Sequence, residues 1–145
     1  MKALSIRQPW AWAIVHAGKD IENRDWSTKF RGVIAVHAAK GMTRNEHIWA
    51  SMDIEERSGL RPPAYPMLKE RGFIVGTVEI VDCVSKSPSP WFQGEYGLVL
   101  RNPVPLAQPV YIKGALGFWD VPEDIAAKLI ELRRAALRPA RLEVV

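Results

Sequence analysis

The chain has 145 residues, 48% hydrophobic and 25% charged, with a net charge of +4. That balance suits one ordinary globular domain and excludes a disordered chain, which needs low hydrophobicity and high net charge. One cysteine, Cys83, excludes an internal disulfide, a zinc ribbon and an iron–sulfur centre.

The opening MKALSIRQPWAW has no long apolar stretch and no cleavage site, so no signal peptide is expected. No segment approaches the ~18 apolar residues of a membrane span. The expected location is the cytoplasm, with no membrane partner. Ala3 to Ile6 reads as a first strand. Pro9 then suits the first turn of a helix in which Trp10, Ala13, Ile14 and Ala17 recur at helical spacing, and Gly18 ends it. Residues 20–26 read as a short extended segment, and residues 33–38 as a β-rich strand.

Thr43 and Glu46 form a capping box that opens a helix, with Ile48, Trp49 and Met52 expected to face inward. Residues 58–66, with Gly59, Pro62, Pro63 and Pro66, must be loop. Residues 72–84 give the strongest strand pattern, with Cys83 expected to be buried in it. A Ser/Pro-rich loop over 85–94 carries Trp91 and Phe92. Residues 96–101 read as a strand stopped by Asn102-Pro103, and residues 110–113 as another short strand. Asp120 and Glu123 read as a second capping box. The helix it opens is expected to bury Ile125, Leu129, Leu132 and Ala136.

Five or six short strands with few helices predict an α+β fold, a small and mostly antiparallel β-barrel flanked by helices. One domain over residues 1–145 is expected, with the barrel over about 2–121 and a terminal helix over about 121–137. His16, His37 and His47 lack metal-ligand spacing, so neither a metal nor a cofactor is expected. Residues 1–44 hold eight Lys/Arg against three acids, a local charge of +5, while 45–80 sum to −2 and 81–145 to +1. A basic excess confined to the first third suits a phosphate-bearing partner, and equally suits a solvated basic face.

No Walker loop, nucleophile elbow or zinc-protease motif is present. The informative stretch is Gln8-Pro9-Trp10-Ala11-Trp12 followed by Gly18-Lys19-Asp20-Ile21-Glu22-Asn23-Arg24. Glu22 and Arg24 are two apart, so on a strand they share a face, and Lys19 lies in the turn just before. A carboxylate between two cations can hold them as a clamp for a phosphate or a base edge. A surface ion-pair cluster, worth under about 1 kcal/mol per pair, fits the same spacing.

The runs SIRQPWA, GKDIENR and FIVGTVEIVDC, with Lys113-Gly114 and Trp119 later, resemble the ASCH family, a relative of the PUA-like folds. The likeness covers about residues 2–121 and extends to the form carried by a transcription coactivator. It rests on the G-K-x-x-E-x-R signature at Gly18, Lys19, Glu22 and Arg24. The resemblance implies a β-barrel whose cleft, beside the signature, binds RNA, DNA or a nucleotide. Some members act as enzymes, one on acetylated cytidine and another on RNA. The amidohydrolase uses a lysine and a threonine three residues later. Lys19 matches the first, but Glu22 stands at the second, a departure that weighs against that chemistry.

The leading expectation is a nucleic-acid or nucleotide binding module that uses a basic cleft at the signature. Lys19 would meet a phosphate or carbonyl, Arg24 would supply a planar donor fork, and Glu22 would orient it or accept from a base edge. Gln8 and Trp10 are expected to shape one wall, and Trp91 and Tyr96 the opposite rim. Gln8 suits a helix cap equally well, and Trp91 equally suits an anchor for its own loop. A hydrolase acting on a modified nucleoside or on RNA, with Lys19 and Glu22 as catalytic pair, is the alternative. A module that binds a protein partner through a peptide is the third reading.

Overall fold

A computed structural model describes residues 1–138; residues 139–145, the end of the expected domain, lie outside the described residues. In chain order the elements are β1 (Lys2–Arg7), α1 (Trp10–His16), β2 (Ile21–Arg24), β3 (Gly32–Ala39) and α2 (Arg44–Ser58). They continue with β4 (Phe73–Val84), β5 (Tyr96–Tyr111), β6 (Phe118–Asp120) and α3 (Glu123–Ala136). The six strands form one sheet in the order β2-β5-β4-β3-β1-β6. Only β1 with β3 is parallel; the other pairings are antiparallel. Register shifts between Val36 and His37 and at three places along β4 and β5 bend the sheet into a half-barrel. This is the α+β barrel-like architecture that the strand count predicts. No helix among the described residues is long and apolar enough to cross a membrane.

Strand alternation divides the core. Leu4, Ile6, Ile34, Val36, Val78, Ile80 and Leu98 point into the half-barrel, where Ala11 and Ile14 of α1 plug it. Ala3, Ala35 and Ile74 point the other way and meet Ala126 and Leu129 of α3. A third cluster joins α1, α2 and the 85–94 loop through Ala13, Ile21, Ile54 and Trp91. Helix α1 can approach β4 because Gly76 has no side chain. A Cβ there would lie 2.6 Å from the Val104 carbonyl oxygen and 3.0 Å from a Val15 methyl.

Several elements differ from the sequence expectation. The strands expected over 96–101 and 110–113 are the two ends of a single bent β5. Asn102, with φ of 51°, and the prolines after it interrupt the ladder without ending the extended chain. Helix α2 keeps its Thr43–Glu46 capping box but buries His47, Ala50 and Ile54, leaving Ile48, Trp49 and Met52 exposed. Its inner stripe is the one that fits the packing between α1 and the 58–66 loop, not the most apolar one. Asp120 does not cap a helix: it ends β6 and pairs with Lys2 at 2.9 Å, while Pro122 takes the N-cap position of α3. The inner stripe of α3 is Ala126, Leu129 and Arg133, with Leu132 exposed, because the Arg133 guanidinium donates to Thr77 Oγ1 at 2.8 Å on β4. Cys83 is only half-buried, near the end of β4.

Two outcomes follow from this packing. Gly76→Ala should lower stability by about 1–3 kcal/mol, read from a denaturant midpoint, since its neighbour is backbone and cannot yield. Burial of His47 lowers its proton affinity below the ordinary value of 6.5; the Pro63 carbonyl opposes this and the Arg71 charge adds to it. The unfolded chain therefore binds a proton that the folded chain resists. The stability tied to a neutral His47 is complete above the unfolded value and is lost as pH falls through the folded one. His47→Gln should flatten the acid limb of a plot of Tm against pH; an unchanged limb would refute the assignment.

Candidate functional site

The turn from α1 to β2 places the signature. Gly18 adopts φ of 72°, open to glycine, and the Lys19 N–H turns back to the Ala13 carbonyl at 3.1 Å. The Lys19 side chain, only 3% exposed, is thereby driven inward. Its ammonium donates to the Ile21 carbonyl and to Glu22 Oε1 at 3.1 Å. The other Glu22 oxygen accepts from Arg24 Nη2 at 3.3 Å. The same Nη2 donates to the Ser5 carbonyl on β1 at 3.1 Å. Lys19, Glu22 and Arg24 thus form one continuous, mostly buried network. The surface-pair alternative does not hold, since the Glu22 side chain is only 9% exposed.

The network forms the floor of a cleft of about 470 Å³. Trp10 lies along one wall, its ring 5.8 Å from the Lys19 ammonium, and Trp91 along another. Arg7, Asn23, Asp25, Asp53, Arg57 and Gln93 complete the rim. Arg7, Lys19, Arg24 and Arg57 face Glu22, Asp25 and Asp53, so the cleft carries only one net positive charge. It is charge-mixed rather than strongly basic, a surface better matched to a polar base edge than to bare phosphate. Arg24 uses only Nη2 among the described residues, which leaves Nε and Nη1 for a ligand.

Five of the seven expected residues meet here: Trp10, Lys19, Glu22, Arg24 and Trp91. Gln8 does not. Its Oε1 accepts the Trp12 N–H at 2.9 Å in the first turn of α1, and it faces a different cavity beside Glu70. Of its two readings, the helix-cap one describes it. Tyr96 sits opposite Arg24 in the β2–β5 register but does not line the cleft. Trp91 combines both of its roles: it is buried with Ala13 and Ile54 and still walls the cleft.

Asn23 was not anticipated as a site residue. Its amide donates to the Trp91 carbonyl and its oxygen accepts from the Gln93 N–H, both at 2.8 Å, so it fixes the loop that forms the rim. Arg57 and Asp53 were also missed. They form an i,i+4 pair at 2.8 Å on α2 and read in sequence as a solvated helix face. Among the described residues no group of three or more His, Cys, Asp or Glu could hold a metal ion.

Comparison with known proteins adds a lineage to this geometry. Activating signal cointegrator 1 from Homo sapiens is 25% identical over 130 residues, covering 84% of this chain and 22% of the relative. The Mus musculus protein of the same name is 23% identical over the same span. The chain thus spans about a fifth of the length of these relatives. The family model for the ASCH domain matches residues 4–112, from β1 through the end of β5 and across the whole Lys19–Arg24 signature. The chain belongs to the ASCH domain family.

Proposed function

We propose that this chain is a nucleic-acid binding module that takes a base, with its attached phosphate, into the cleft over Lys19, Glu22 and Arg24. The carrying observation is the buried network itself. Lys19 and Glu22 are held by fixed partners, so the Arg24 fork is oriented before any ligand arrives. A guanidinium with Nε and Nη1 free can still donate single hydrogen bonds from each, to the acceptor edge of a base and to a phosphate. Trp10 and Trp91 supply flat walls for a base, and Arg7 at the rim suits the backbone that follows it. Family membership supports the same reading, because ASCH domains are associated with RNA and nucleotides. The hydrolase alternative draws less support: Glu22 has both oxygens engaged by cations, and Lys19 spends two of its three donors on Ile21 and Glu22.

Arg24→Ala should weaken binding of a fluorescent single-stranded oligonucleotide by tenfold or more, since hydrogen bonds to a charged group are each worth about 1.5–3 kcal/mol. Arg24→Lys should recover only part of that loss, because a point charge cannot reproduce the fork. Affinity should fall with salt. Equal binding by wild type and Arg24→Ala at low salt would remove the cleft from consideration. Salt-insensitive peptide binding would favour the interaction-module reading, and turnover of acetylcytidine abolished by Lys19→Ala would favour the enzyme.

The same network makes a stability prediction. Lys19→Ala leaves Glu22 buried with Arg24 as its sole cation, and should cost about 3 kcal/mol in a denaturant melt. Lys19→Met, which refills the volume without a charge, should cost nearly as much. A negligible loss in both variants would show that the buried network carries no structural weight.

A further inference from the structure

A second cavity of about 510 Å³ lies on the other side of β1. Ser5 is the wall between the two. Its carbonyl accepts from Arg24 in the first cleft, while its side chain lines the second. The second cavity presents Lys40, Tyr111, Lys113 and Leu116, and none of its lining residues is a carboxylate. Its floor is rigid and chemically closed. The Ile112 carbonyl can only accept, so His37 Nε2 donates to it at 2.8 Å, and His37 Nδ1 shares a hydrogen bond with the Ser5 hydroxyl at 2.9 Å. The Trp119 indole N–H in turn donates to Ser5 Oγ at 3.1 Å. Gly114 presses onto this group so closely that a Cβ would lie 2.5 Å from Ser5 Oγ.

Above the floor Lys40, Tyr111, Lys113 and Leu116 are exposed. Tyr111 is 59% exposed, its ring held edge-on by Phe73 at 5.2 Å, with the Lys40 ammonium 5.1 Å from the ring centre. Leu116, 99% exposed, projects at the edge of the same cavity on a loop whose base is fixed by Gly114. An exposed aromatic face flanked by two lysines, with an apolar edge, is the chemistry that holds an unstacked base and its phosphate. Ser5 and Arg7 are two residues apart on β1, about 6.6 Å along the strand, a spacing one nucleotide can bridge.

We propose that the second cavity holds the nucleotide next to the one in the first cleft, so that the ligand is a single-stranded oligonucleotide crossing β1 at Ser5 and not a free nucleoside. Lys40 and Lys113 contact its phosphates and Tyr111 stacks on its base. Two concave sites separated by a strand require bases splayed apart, which a duplex does not offer. The inference rests on the binding reading of the first cleft and extends it.

The test is a length series of single-stranded oligoribonucleotides, of one, two, three and six residues, against the full chain. Wild type should gain about tenfold or more in affinity between one and three residues. The Lys40→Ala/Lys113→Ala double variant should bind the hexamer with wild-type mononucleotide affinity, leave mononucleotide binding unchanged, and reduce the slope of log K against log salt by about 1.4. Tyr111→Ala should lose about tenfold on the hexamer alone. Affinity independent of length, or a double variant equal to wild type, overturns the second site while the first cleft stands. Loss of mononucleotide binding in the double variant also overturns it, since the lysines would then serve the first cleft. If wild type binds no member of the series, both proposals fall together.

Discussion

The structure is organised around one buried carboxylate. Glu22 would be very costly to hide alone, and each of its oxygens is answered by a cation from a neighbouring position. The two cations are in turn held by backbone carbonyls, Lys19 by Ile21 and Arg24 by Ser5. The second of these bonds matters for topology. Strands β2 and β6 are the two ends of the sheet and do not pair with each other. Arg24 therefore reaches from the β2 end across the open side of the half-barrel to β1. The charge network and the closure of the fold are the same set of bonds, so the site cannot be loosened without loosening the barrel.

That arrangement depends on how α1 is seated. Gly76 lets the helix sit low on β4, and Gly18 turns the chain sharply at its end. Trp10 at the start of the helix and Lys19 just beyond its end then reach the same cleft from opposite directions. The 85–94 loop completes the enclosure because Asn23, pointing away from the Glu22–Arg24 face, clamps it by the backbone. Alternation along a four-residue strand thus assigns one side chain to the loop and two to the charge network.

The sequence carried much of this in short-range signals. The Thr43 capping box, the Gly18 stop and the alternating strand over 72–84 all report local chemistry, and all three are found. So is the shared side of Glu22 and Arg24, which follows from the period of a strand. What was illegible depends on partners far along the chain. Nothing near Asp120 indicates that Lys2 will take it from its helix. Nothing in α2 says that the stripe with His47 and Ala50 fits the available gap better than the one with Trp49. Gln8 is ambiguous because the same amide suits a cap or a ligand, and only the placement of Trp12 decides. Arg57 and Asp53 look like any exposed i,i+4 pair until the tertiary fold turns them to the rim.

The position of β1 also shapes how the molecule comes together in time. This strand pairs in parallel with β3, Lys2 beside Ile34, and on its other edge with β6, Lys2 beside Asp120. Strand β1 is synthesised well before β6, so that second edge waits for residues almost 120 positions later. Until β6 arrives, the early strand offers unpaired backbone groups and its apolar Leu4 and Ile6 to whatever is near. Ser5 belongs to that strand, so the wall dividing the two cavities and the anchor for Arg24 are made early and seated late. A truncated chain lacking residues 118–120 would therefore carry every signature residue without the strand that pairs the second edge of β1.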